Sequence, residues 1–210
     1  MTTYGANSIG RADTPEREQA ARVQADATRQ YATIRGRSDL SGVGKASHIA
    51  AVHLATKARL ADLEQSEKDH RASDLHDAET ALYERSSRPA TGADAISQRD
   101  AADRAAAVAT PSKAQALLGQ ARRNNDVHLA SAVAQRAVDN GWRDVINSYV
   151  GDDADKRQAL DTITDHQNRV GAPGDKITSG MYFRSGTPDE LRGMSPAKVK
   201  TLAEQAPTTE

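Results

Sequence analysis

Residues 40–88 contain no proline, and their only glycines, Gly42 and Gly44, stand at the start. Ala, Leu, Lys, Glu, Gln and Arg fill much of the stretch, and all are good helix formers. It predicts one helix over 43–85, roughly 43 residues and about 64 Å long. Globular helices usually run about 8–20 residues. Such a helix in a chain of 210 residues implies an extended arm, a coiled coil or an assembly part, and not an enzyme scaffold.

Ile49, Val52, Thr56, Leu60 and Leu63 fall on one face of this helix, while Ala46, Ala50, Leu54, Ala58 and Ala61 spread over another. Two apolar faces require more than one packing neighbour. One neighbour lies just upstream. Thr14-Pro15-Glu16 is a helix start, with Thr as cap, Pro in the first turn and acids near the positive end of the dipole. That helix is expected to run to about Arg35, with Ala20, Val23, Ala27, Tyr31 and Ile34 in one stripe. Turned back by the Gly- and Ser-containing connection 36–44, the stripe is expected to pack antiparallel on Ile49, Val52, Leu60 and Leu63. At about 32 Å it covers only the near half of the long helix. The far half opens with Glu67-Lys68-Asp69-His70-Arg71, charged all round, then recovers Leu75, Ala78 and Leu82. The helix is expected to project beyond its partner and not to break near Ser73.

Residues 86–92 (SSRPATG) form a linker, and the texture then changes to short helices with short turns. These are expected at 93–109, at 111–123 behind a second Thr-Pro start, from Asn125/Asp126 to the Asn140-Gly141 cap pair, at 142–150, and at 153–169. Ala114, Leu117, Leu118 and Ala121 match Ala130, Val133, Ala134, Ala137 and Val138 as a tight antiparallel pair. Residues 172–186 read as irregular, with further short helices starting at Thr187-Pro188 and Ser195-Pro196. The fold class is all-α. Residues 1–13 are a tail, 14–88 a long helical hairpin or arm, 89–171 a small bundle of short antiparallel helices, and 172–210 an extended C-terminal docking segment.

Twenty-eight basic and 29 acidic residues give a formal net charge of -1. That balance argues against general attraction to nucleic acid or an anionic membrane. No apolar run approaches the roughly 20 residues of a membrane helix, and the N-terminal residues lack the apolar segment of a secretory signal. The absence of cysteine excludes disulfides and fits a reducing cytoplasm. Aromatic residues are 3% of the chain, so the core must be built from Ala, Val and Leu. Such a core gives modest stability in isolation, which partners would raise.

The chemistry-bearing patterns are weak. Gly42-Val43-Gly44-Lys45 resembles a phosphate loop, but Asp39 and Ala46 stand where the pattern needs Gly and Ser or Thr. His48/His53 and His70/His76 miss the spacing of helical metal ligands; His70 and Asp74 fit it, but two ligands do not make a site. Glu64/Glu67 and Asp74/Asp77 are expected on an exposed face, without the dry pocket that acid–base work needs. No G-x-S-x-G elbow occurs. Arg35, Arg37, Lys45, Arg122 and Arg123 lack the interleaved aromatics of a single-strand binder, and Arg122/Arg123 suit a helix C-terminus. No catalytic, cofactor-binding or metal residue is assigned, and the chain is read as non-enzymatic.

Interface candidates are Leu75 and Leu82 on the far half of the long helix, Trp142, the cluster Met181, Tyr182 and Phe183, and Leu191. Trp142 is either a plug between helices or an interface anchor. The 181–183 cluster docks either on the chain's own helices or on another chain.

Residues 31–37 (YATIRGR), 100–105 (DAADRA), 140–142 (NGW) and 188–194 (PDELRGM) carry a diffuse likeness over 30–205. The chain resembles small helical proteins encoded among the structural genes of tailed phages of Actinobacteria. The resemblance implies a virion context, as a minor capsid, head–tail or scaffold-type component with other structural proteins as partners in a multimeric assembly. The location it implies is the virion, assembled in the host cytoplasm. The alternative is an adaptor in the bacterial cytoplasm that binds a peptide or regulatory protein in a hairpin groove. An adaptor should be monomeric with a concave groove on residues 93–170; a virion part should be extended and multimeric.

Overall fold

The computed structural model describes residues 14–83, 91–170, 174 and 180–206. The tail at 1–13, the linker at 84–90, most of 171–179 and the last four residues lie outside that set. Among the described residues every regular element is helical, as the stripes predict.

Helix α1 (Pro15–Gly36) starts where expected: the Thr14 side chain accepts from the Arg17 amide, and Pro15 occupies the first turn. Helix α2 spans Gly42–Tyr83 without a break. The Ser41 hydroxyl accepts from the Gly44 amide at its start. The short helices are α3 (Gly92–Ala106), α4 (Pro111–Arg123), α5 (Val127–Asp139), α6 (Arg143–Val150) and α7 (Ala154–Val170). Thr91 and Asp94 make a reciprocal capping box on α3, which fixes its start one residue before the expected one. Between α5 and α6 the chain turns through Gly141 at φ 65, a conformation that disfavours any side chain. A 3-10 turn (Asp189–Leu191) and helix α8 (Pro196–Glu204), capped by Ser195, follow.

The chain forms two compact units, Met1–His70 with Ala172–Glu210, and Arg71–Gly171. The sequence predicts divisions at 88/89 and 171/172; the compact units divide at 70/71 and 171/172, with the segment after 171 belonging to the hairpin's unit. Apolar packing sets them. Leu75, Ala78, Leu82 and Tyr83 of α2 share a core with α3 to α7, so the far half of α2 has the internal partner that the length argument denied it.

In the second unit α5 is central and packs against α3, α4 and α6. Ala114, Leu118 and Ala121 of α4 meet Leu129, Val133, Ala134 and Ala137 of α5, and alanines at 78, 101, 105 and 159 complete the core. Alanine lets helix backbones approach closely and leaves little volume to fill. The last turn of α2 ends inside this core. Its carbonyls at Leu82 and Tyr83 accept from the Tyr149 hydroxyl at 2.9 Å and the Ser131 hydroxyl at 2.6 Å. Those bonds satisfy two acceptors that a helix end otherwise leaves bare.

In the first unit the stripe of α1 meets the near half of α2 as expected. Ala27, Tyr31, Ile49 and Ala50 form one cluster, and Ala20, Leu60 and Leu63 another. Each cluster is closed by the C-terminal segment, through Leu191 and Val199 in the first and Phe183 in the second. No helix among the described residues is long and apolar enough to cross a membrane.

Candidate interaction surface

Of the interface candidates, Met181 alone stands free, 71% exposed. Phe183 is 6% exposed, among Ala20, Leu60 and Leu63. Tyr182 lies half-buried with its ring 5.6 Å from the Arg17 guanidinium, in range of a cation–π contact. Leu191 is buried against the hairpin, Leu82 is buried in the second unit, and Leu75 and Trp142 pack partly buried on that core. The docking reading of Leu82, Phe183 and Leu191 is therefore corrected. With few large side chains in the chain, the helices use these residues for their own closure.

The C-terminal segment is held to the hairpin by polar contacts as well. Gln24 Nε2 donates to the carbonyls of Tyr182 at 2.8 Å and Arg184 at 2.9 Å. Ser47 donates its hydroxyl to the Leu202 carbonyl at 2.7 Å. Arg35 grips Glu190 with two parallel bonds of 2.7 and 2.8 Å. That guanidinium holds the Glu190 carboxyl down to about 2. Lys45 Nζ donates to the Arg35 carbonyl at 2.8 Å, and Arg37 pairs with Asp39. The cations around the first loop thus tie the loop and the C-terminal segment together. Arg122 donates to the carbonyls of Ser148 and Tyr149 near the end of α6, a helix C-terminus as expected, though of another helix.

The stretch 67–71 is not charged all round on a solvated face. Glu67 is buried and lies on the same stripe as Leu60 and Leu63. Its carboxylate meets Arg17 Nε at 2.7 Å, ion-pair range although the N–H is not aligned for a hydrogen bond. The Thr14 hydroxyl donates to the same Glu67 oxygen at 2.8 Å. His70 Nδ1 lies 3.0 Å from Glu16, whose side chain is also buried. Continuing the stripe from Leu63 by four residues reaches Glu67, and that spacing was the signal for its burial.

Besides Arg17 Nε, three buried polar atoms of the hairpin, Tyr31 Oη, His48 Nε2 and His53 Nδ1, close no hydrogen bond. The Tyr31 hydroxyl faces those of Ser185 and Thr56 without reaching bonding geometry, and burial pushes its pKa up. Burial, with Lys57 adding a smaller effect, pushes the His53 imidazole below its usual range.

Two of the open grooves bear on function. One, of about 240 Å³, is lined by Arg122, Asp126, Val127, Tyr149 and Lys156 in the second unit. The other, of about 480 Å³, runs between α1 and α2. Among the described residues no three His, Asp or Glu side chains converge as metal ligands. Comparison with protein families, with curated proteins and with solved structures finds no match to the chain.

Proposed function

We propose that the chain is a non-enzymatic structural or assembly protein that works through helix-mediated contacts with other proteins in a multimer. The observation that most supports this is α2, one uninterrupted helix of 42 residues that supplies core residues to both compact units. A helix roughly three and a half times the ordinary length serves spacing and support better than it serves a reaction centre. The finer reading, a virion component of a tailed phage, rests on the sequence resemblance. The contact surface in this reading is not the C-terminal segment, which the hairpin already holds.

Sedimentation velocity of the full chain over a concentration series tests the reading. A discrete multimer is the expected result, and a monomer at every concentration overturns it. The adaptor reading draws support from the 240 Å³ groove on residues 121–156, within the stretch where an adaptor groove was expected. A monomer that binds a peptide there, lost on Lys156→Glu, would favour the adaptor.

A further inference from the structure

The 480 Å³ groove of the hairpin is walled by α1 and α2, with Val23, Ala27, Val52 and Ala55 inside it and Asp26 and Arg59 on opposite walls. It lies on the flank of the hairpin away from the C-terminal segment. At 3.6 residues per turn, Ser47 and Ala50, on the segment's side of α2, fall to one side of the line Ile49–Leu60. Val52, Ala55 and Arg59 fall to the other. On α1 the segment is held by Gln24 and Arg35, and Val23 and Asp26 lie on the opposite flank. The hairpin is thus covered on one face and open on the other.

We propose that the open face docks a second copy of the chain, joining two hairpins into a four-helix bundle about a two-fold axis; this rests on the assembly reading above. The charges favour a copy of the same chain as the occupant. One wall carries an acid and the other a base, and Arg59 makes no ion pair with any described residue. A self-complementary patch is what a two-fold interface requires. An axis parallel to the helices sets α1 of each copy on α2 of the other and keeps residues at their own level. Ala20 shares a core with Leu60, and Tyr31 with Ile49. Asp26 therefore stands near the level of Leu54, little more than one turn from Arg59, a distance an arginine side chain spans. Asp26 already holds Arg29 on its own helix, and a carboxylate has acceptor sites for a second guanidinium. Ala27 and Ala55 let the helices approach, while Val23 and Val52 supply apolar area.

The test is sedimentation equilibrium of the full chain as wild type, Asp26→Arg, Arg59→Asp and the double variant, with thermal melts to show that each is folded. The wild type is expected to form a reversible dimer. Each single change should weaken it about tenfold or more, and the double should recover most of the loss, because the pair re-forms with its polarity reversed. Ala55→Arg, at an exposed position, should abolish dimerisation by bulk alone and serves if a charge variant fails to fold. A multimer indifferent to all these changes overturns the groove interface and leaves the assembly reading standing. A double variant as weak as the singles overturns the Asp26–Arg59 pairing. A wild type that stays monomeric overturns both the interface and the assembly reading.

Discussion

Arg17 of α1 and Glu67 of α2 form a 2.7 Å ion pair with both side chains almost wholly withdrawn from solvent, 3% and 4% exposed. Two charges so placed have lost most of their hydration. Their attraction offsets that loss only while both are present. The pair also fixes register, since any slip of α1 along α2 would strand a buried charge among Leu60, Leu63 and Phe183.

Removing one partner should therefore cost more than removing both. Arg17→Met or Glu67→Leu alone is expected to destabilise the first unit by about 3–5 kcal/mol, and the double variant by much less. Urea unfolding of the four proteins of this cycle reads the coupling. Equal, additive losses would show that the pair acts as two independent surface charges.

Leu60→Asp places a charge where the native side chain is fully buried. A loss of about 3 kcal/mol or more is expected. Phe183→Ala, in the same cluster, should cost about 3 kcal/mol by cavity formation. A melting temperature left unchanged by either substitution would contradict the packing of the C-terminal segment on the hairpin.

Deleting residues 180–210 should uncover Ile49, Ala50 and Leu60. Hydrogen exchange of the truncated chain is expected to show faster exchange in α1 and the near half of α2, with α4 to α6 unchanged. Uniform protection throughout the first unit would mean that the segment contributes nothing to it.

Acid should weaken the first unit in two steps. The His53 pKa is lowered by burial, so below its ordinary value of 6.5 the unfolded chain takes up a proton that the folded chain resists. That contribution is present above pH 6.5 and declines as pH falls. The Glu190 pKa is lowered from 4.5 to about 2, so its contribution is present above pH 4.5 and is lost as pH falls towards 2. It is small, because the Arg35–Glu190 pair is partly exposed. Urea midpoints between pH 8 and pH 3 should fall in the first window, less so in His53→Gln. A midpoint that rises on acidification would give the opposite sign.

The helices and most of their ends were legible in the sequence, because they depend on local physics. Thr14, Thr110 and Ser195 each stand before a proline, and the side chain of each accepts an amide of the first turn. Such signals act within four residues and need no tertiary partner. The α1–α2 and α4–α5 pairings were also readable, since short connections bring consecutive stripes together. The partner of the far half of α2 and the seat of the C-terminal segment were decided only in three dimensions. Leu82 ends the stripe Leu75–Ala78–Leu82 and Leu191 stands between Glu190 and Arg192; the pattern says that each is apolar without saying what covers it. Glu67 was misread for a related reason: charge predicts exposure unless an opposite charge arrives from elsewhere in the chain, and Arg17 arrives from fifty residues away. Sequence thus determined where the helices are and which stripes are apolar. Tertiary packing decided which stripes meet, because hydrophobic burial is non-directional and its final pairings are selected by shape and by a few buried charges that tolerate one register.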